Sequence, residues 1–210
     1  MYHNLQSVKI LNELVGEDEL EGNCLYVHKT KRLRTGENID NLRFNLVSLG
    51  EQCNSILEIG FNAGHSCALM ASKNKDTEFL LFDLGRYEYT KRCIDWFSDH
   101  RPTTYIEGDS NKTIPLYSSN TNEYGEYNEN KIYDLIHIDG GHGIKTCEND
   151  IRNCKKFAND KSLLLVDDIN LKKIKDLVGE MVADNYIEEI EMNSVNCKST
   201  IFHKLFRYVF

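Results

Sequence analysis

The chain has no apolar run of membrane-spanning length, no Cys-x-x-Cys pair and no excess of positive charge, and each absence excludes a class of protein. A bilayer span needs roughly 20 consecutive apolar residues, which are missing. Residues 1–11 also lack the charged-then-apolar layout of a secretory leader, so a cytoplasmic protein without membrane contact is expected. The seven cysteines, Cys24, Cys53, Cys67, Cys93, Cys147, Cys154 and Cys197, are odd in number and scattered. That pattern argues against a zinc site or a disulfide framework and for reduced, mostly buried thiols. Lys and Arg number 25 against 33 Asp and Glu, a net charge of -8, which disfavours a general nucleic-acid binder. The one strongly basic stretch, residues 29–34, reads as a solvated connector that leaves room for local contact with an anionic substrate group.

What is present is patterned. With 210 residues and 40% hydrophobic content the chain can bury one core. A single domain over 1–210 is expected, with an N-terminal helical cap over the cleft at 1–50 and an α/β core at 51–210. Short apolar runs at 56–60, 79–84, 104–106, 133–139 and 163–167 alternate with helical stretches beginning near Gly64, Glu88, Gly143 and Leu171. Alternation of this kind predicts a parallel sheet covered by helices on both faces. Two further strand-like runs, 186–192 and 200–206, are joined without a helix and predict an antiparallel closure. The fold class expected is therefore α/β: a Rossmann-like doubly wound sheet of about seven strands, mostly parallel, with an antiparallel C-terminal strand. Residues 2–15 and 39–49 carry helical spacing, and 117–131 reads as a long polar surface loop.

The strongest local signal is Ile56-Leu57-Glu58-Ile59-Gly60-Phe61-Asn62-Ala63-Gly64-His65-Ser66, a buried strand with an acid followed by a glycine-bearing turn that opens a helix. Gly60 and Gly64 let backbone approach a ligand closely, and free N–H groups at the helix start suit a carboxylate. An acid at a buried strand end is costly without a cation, so Glu58 suggests a bound ammonium. The same motif also fits a plain strand-turn-helix or another nucleotide-binding loop. Asp83 stands at the next strand end, where nucleoside-binding sheets place a carboxylate for the ribose hydroxyls. Asp109 and Ser110 follow the third strand in a polar turn suited to an adenine edge. The fourth strand delivers Asp139, then Gly140, Gly141 and His142, and the fifth delivers Asp167 and Asp168. Adjacent strands would bring Asp139, Asp167 and Asp168 around one point, an all-oxygen set suited to magnesium or a similar divalent cation.

With these motifs the sequence resembles a class I S-adenosylmethionine-dependent methyltransferase, of the group containing the magnesium-dependent macrolide-sugar O-methyltransferases. The resemblance covers about 55–206, and the Ile-Asp-Gly-Gly-His element ending at His142, with the later Asp-Asp pair, is its most specific part. It implies S-adenosylmethionine and Mg2+ as cofactors, Asp139, Asp167 and Asp168 as metal ligands, and His142 as general base with Asp139 beside it in the catalytic centre. The implied cofactor contacts are Glu58, Gly60, Asn62, Gly64, Ser66, Asp83, Asp109, Ser110 and Asp139. One departure is Asn62, which replaces the usual middle glycine and either contacts the methionine moiety or tolerates a left-handed backbone.

Each residue also has a structural reading. His142 is a candidate cap for the helix after it, Asp168 an N-cap for the helix near Leu171, and His137 a packed histidine. Trp96 and the tyrosines near Tyr87 read as core or cleft lining, and Tyr87, just past Asp83, is placed to cover an adenine. A nicotinamide-dependent oxidoreductase is disfavoured because the first loop lacks Gly-x-Gly-x-x-Gly spacing, and a non-catalytic binding module because Asp139, His142, Asp167 and Asp168 occur together. A small-molecule or glycan acceptor is expected, a sugar hydroxyl first and a catechol-like phenol second.

Overall fold

The computed structural model describes residues 2–121 and 125–210. Seven strands form one sheet: β1 (Ser55–Ile59), β2 (Glu78–Asp83), β3 (Thr103–Glu107), β4 (Leu135–Ile138), β5 (Leu163–Val166), β6 (Ile187–Ile190) and β7 (Lys204–Tyr208). Their order is β3-β2-β1-β4-β5-β7-β6. Pairing is parallel from β3 through β5, and β7 runs antiparallel to both β5 and β6. The central strands β4 and β5 are buried at every position, which is why they read as unbroken apolar runs. The edge strands are less covered: β3 exposes Thr104 and Glu107, and β6 exposes Glu188 and Glu189.

The helices sort by face. Helices α1 (Gln6–Val15), α2 (Glu37–Gln52), α3 (His65–Met70) and α4 (Glu88–His100) contribute Leu11, Leu46, Leu69 and Phe97 to one core. Helices α5 (Ser110–Ser119), α6 (Ile144–Cys154) and α7 (Lys172–Ala183) bury Ile114, Ile151 and Val178 in the other. Among the described residues no helix is long and apolar enough to cross a membrane. All seven cysteines are free, and six of them are buried.

Three expectations shift. Helix α5 was not legible, because its Asn, Ser and Thr residues and the internal Pro115 give it almost no apolar stripe and only Ile114 and Ser118 are buried. The predicted loop 117–131 thus begins inside that helix, continues through a bridge between Thr121 and Tyr127 and ends in a 3-10 turn at Asn128–Asn130, while residues 122–124 lie outside the described residues. The last strand is Lys204–Tyr208 rather than 200–206, since the chain before it forms side-chain bonded turns with α2.

The N-terminal cap differs in kind. Helices α1 and α2 are packed into the core, and it is the connector between them that reaches the cleft. This strap is held by Arg43, a buried side chain on α2 that donates to the carbonyls of Cys24 (2.9 Å), Leu25 (3.1 Å) and Arg34 (2.8 Å) and pairs with Asp40. Asn23 closes its tip by accepting from the N–H groups of Leu25 and Tyr26 at 2.7 and 2.9 Å.

Candidate active site

A cleft of roughly 650 Å³ opens at the carboxyl ends of β1 to β4, where ligands settle in sheets of this kind. Its floor is the first loop (Gly60, Phe61, Asn62, Ala63, His65, Ser66), one end is Asp83 with Asp109 and Ser110, and the other is Asp139 to His142. The strap closes it with residues 21–24 and His28.

Gly60 has φ +99°, and a Cβ there would fall 2.0 Å from the Asp139 carbonyl oxygen. Gly64 has φ +73°, and its Cβ would strike the Phe61 ring at 2.5 Å. Both glycines therefore admit close approach of the protein to itself; Gly60 also lines the cleft, whereas Gly64 does not. Asn62 adopts the left-handed conformation, with φ +52°. Its side-chain oxygen accepts from the Tyr89 hydroxyl at 2.6 Å, and its N–H donates to Asp83 at 2.9 Å. The second Asp83 oxygen accepts from the Gly85 N–H at 2.8 Å. Asp83 is thus aimed by two backbone donors and keeps lone pairs for a ligand diol. Tyr87, stacked on Tyr89 at 5.0 Å, lines the same end, whereas Trp96 stacks on His100 away from the cleft. Asp109 and Ser110 also line it, but Asp109 is the N-cap of α5, and its bonds from the Asn111 amides hold its carboxyl below the usual range.

Glu58 does not meet the cleft. It is the cross-strand neighbour of His137, and its carboxylate is fully buried against His137 Nδ1 at 2.8 Å and the Cys67 thiol. Burial alone would lower the His137 pKa, but bonding to Glu58 and the fields of Asp167 and Asp168 raise it overall. The partner expected opposite Glu58 is thus the protein's own imidazole, His137. His137 is packed, as its place on the strand suggested.

One register position further along, Gly60, Asp139, Asp167 and His203 follow one another across the sheet edge, since Ile59, Ile138, Val166 and Lys204 are paired partners. Asp139 is pushed well above the usual carboxylate range by burial, then by the charges of Asp167, Glu58 and Asp168. Asp167 is raised by burial too, with Asp168 adding to it and His137 opposing. Arg34 is the strap cation that lowers both, so the predicted solvated run holds one residue facing the acids. The three expected metal ligands do not converge as tightly as supposed. Among the described residues, the set whose ligand atoms all lie within 4.8 Å is Glu58, His137 and Asp139. Asp168, with φ +62°, turns its carboxylate to His142 Nε2 at 2.9 Å, while Asp167 accepts the Asp168 N–H. Neither His142 nor Asp168 caps a helix: Gly143 and Leu171 occupy the caps of α6 and α7. His142 stands at the cleft rim, 62% exposed, and its pKa is raised chiefly by the Asp168 hydrogen bond.

Sequence reasoning missed the strap residues and His65. Asn23 and Arg43 carried the signal, a turn-forming amide and a cation at a position where α2 is otherwise buried.

Solved structures share the fold. The O-methyltransferase TomG from Streptomyces achromogenes, involved in tomaymycin synthesis and solved with SAM, is 12% identical over 98% of this chain and 90% of its own, with a TM-score of 0.65. An O-methyltransferase from Bacillus cereus in complex with SAH is 10% identical over 95% of this chain and 88% of its own, with a TM-score of 0.62. CalS11, a TDP-rhamnose 3'-O-methyltransferase of calicheamicin biosynthesis, is 12% identical over 80% of this chain and 78% of its own, at 0.59. No curated protein matches the chain in sequence. The sequence pattern of the family described as "Methyltransferase domain" matches residues 57–169, more than half of the 210 residues, and the chain belongs to that family.

Proposed function

We propose that the chain transfers a methyl group from S-adenosylmethionine to an oxygen of a small acceptor, with a sugar hydroxyl as the first acceptor class. The observation that carries this reading is the division of one cleft into two ends. Asp83, aimed by the Asn62 and Gly85 amides, suits a ribose, and Asp139 and His142 stand where a reacting hydroxyl would enter. The chemistry needs the acceptor oxygen in line with the methyl carbon and sulfur. The new O–CH3 bond forms as the S–CH3 bond breaks, sulfur keeps the electron pair as a thioether, and the hydroxyl proton leaves. His142 is the group to receive it. With Nε2–H donated to Asp168, Nδ1 holds the lone pair, and the aspartate steadies the imidazolium that results.

The acid cluster fits a hard divalent cation, because burial and then neighbouring carboxylates raise Asp139 and Asp167, with Arg34 opposing at both and His137 and the Asp168 N–H opposing at Asp167. Asp139 and Asp167, with Asp168 beside them, are the residues that would hold magnesium. Such an ion, when bound, eases ionisation of a hydroxyl at neutral pH. A nucleotide-linked sugar is the first acceptor to try. CalS11 is named for a TDP-rhamnose, and His28 on the cleft wall adjoins the exposed Lys29, Lys31 and Arg32, which suit a diphosphate. The test is methyl transfer from radiolabelled S-adenosylmethionine to a panel of nucleotide sugars and catechols, with and without chelator. Transfer to a sugar that falls at least a hundredfold in His142→Ala supports the reading, and transfer only to the phenols replaces the acceptor class. Absence of binding of S-adenosylmethionine refutes the reading.

A further inference from the structure

The first loop contains a buried acceptor with nothing to accept from. His65 opens α3, lines the cleft and is 2% exposed. Its Nε2 lies 2.9 Å from Asn12 Oδ1, and the Asn12 amide nitrogen is turned to the Tyr26 hydroxyl at 2.5 Å. The Tyr26 ring stands edge-on to the imidazole at 5.6 Å. Burial drives the His65 pKa down to about 4, so the ring is neutral at pH 7. A neutral imidazole that donates from Nε2 is a lone-pair acceptor at Nδ1. That Nδ1 is buried and has no hydrogen-bond partner in the protein, a state that costs stability unless a ligand supplies the donor.

The chemistry of the cleft says which donor. Asp83 and Asp109 line the end of the cleft assigned above to the adenosine. Glu58, the acid that the sequence offered for the methionine ammonium, is sealed against His137 and Cys67 and does not line the cleft. We propose that His65 Nδ1 accepts a hydrogen bond from the α-ammonium of the methyl donor, in place of the strand acid. The inference rests on the S-adenosylmethionine reading above. It makes Asn12 and Tyr26, one from α1 and one from the strap, the groups that fix the tautomer and orientation of a cofactor-binding residue.

The test compares S-adenosylhomocysteine with its deamino analogue, in which hydrogen replaces the amino group, by calorimetry on the full chain. In His65→Phe the ring volume stays and the acceptor goes. The expected result is an affinity for S-adenosylhomocysteine weakened about tenfold or more, with the deamino analogue binding wild type and variant alike. His65→Asn places an amide oxygen near the Nδ1 position and is expected to recover part of the preference for the amine, which also covers the case of a Phe variant that fails to fold. Equal losses for both ligands, or none for either, overturn the assignment of His65 while leaving the cofactor in place. If wild type binds neither ligand, the cofactor reading itself fails and the assignment falls with it.

Discussion

Asp150 is a carboxyl whose protonation is set chiefly by burial. It lies on α6 at 0% accessibility, beneath two residues that line the cleft: a Cβ on Gly140 would sit 3.5 Å from its Oδ2, and Ser110 lies close by. Neither oxygen has a hydrogen bond of good geometry. Burial, with a smaller push from Asp109 and against a pull from Ser110, raises the carboxyl from its ordinary 3.8 to about 6. A folded-state pKa above the unfolded one means that the protein is most stable while the group is protonated in both states, below pH 4. Stability then falls as pH rises from about 4 to about 6, and the loss is complete above that. At 1.36 kcal/mol per unit, a shift of roughly two units makes the ionised group cost up to about 3 kcal/mol at pH 7.5. Asp150→Asn removes the titration. Relative to wild type, the variant should gain about 2–3 kcal/mol between pH 4 and pH 7.5, which for a chain of this size is roughly 4–12 °C in melting temperature. The assay is thermal unfolding of both proteins, followed by circular dichroism at half-unit intervals from pH 4 to 8. Burying an amide adds an offset that does not vary with pH, so the slope of the difference is the measurement. A difference in melting temperature that stays flat across that range would show that Asp150 is solvated or paired, and the account of this site would be wrong.

Two other perturbations test the frame around the site. Glu58→Gln takes the carboxylate away from the buried His137 and should cost on the order of 3–5 kcal/mol in urea unfolding, whereas the double replacement Glu58→Leu, His137→Leu should recover most of it; additive losses would mean that the two do not act as a pair. Arg43→Met frees three strap carbonyls and should raise proteolysis within residues 20–34 and weaken S-adenosylhomocysteine binding several-fold, with the melting temperature of the sheet little changed; an unaltered cleavage pattern would show that the strap holds itself.

The legible parts of the molecule were those where one residue's chemistry is decided by its neighbours in sequence. The inner parallel strands announced themselves because burial on both faces favours apolar runs such as Ile56-Leu57 or Leu163-Leu164-Leu165-Val166, whereas the edge strand β3 leaves Thr104 and Glu107 exposed. Asp83, Asp109, Asp139 and His142 could be placed at the cleft because a strand's end fixes where the next residues go. Helix α5 failed by the same logic, since its burial rests on Ile114 and Ser118 and a capping Asp109 rather than on a repeating stripe.

Glu58 shows where local reasoning stops. An acid in a buried strand needs a positive partner, and the sequence was read correctly that far. Which partner it finds depends on β4 lying beside β1 in a register that puts His137 opposite, a fact carried by a segment 79 residues away. Once that pair forms, the charge balance at the edge of the sheet changes. Glu58 is paired below while its charge still acts on Asp139, Asp139 and Asp167 remain above with Arg34 as the strap cation opposing both, and the place for a cation moves from the strand to its end. The ammonium of a cofactor, displaced from Glu58, then has to be met by whatever else the loop buries, and His65 is the acceptor left without a donor. The same pairing therefore governs both the metal reading and the cofactor reading. Comparing S-adenosylhomocysteine binding in the Glu58→Leu, His137→Leu protein with that in His65→Phe separates a residue that shapes the site from one that touches the ligand.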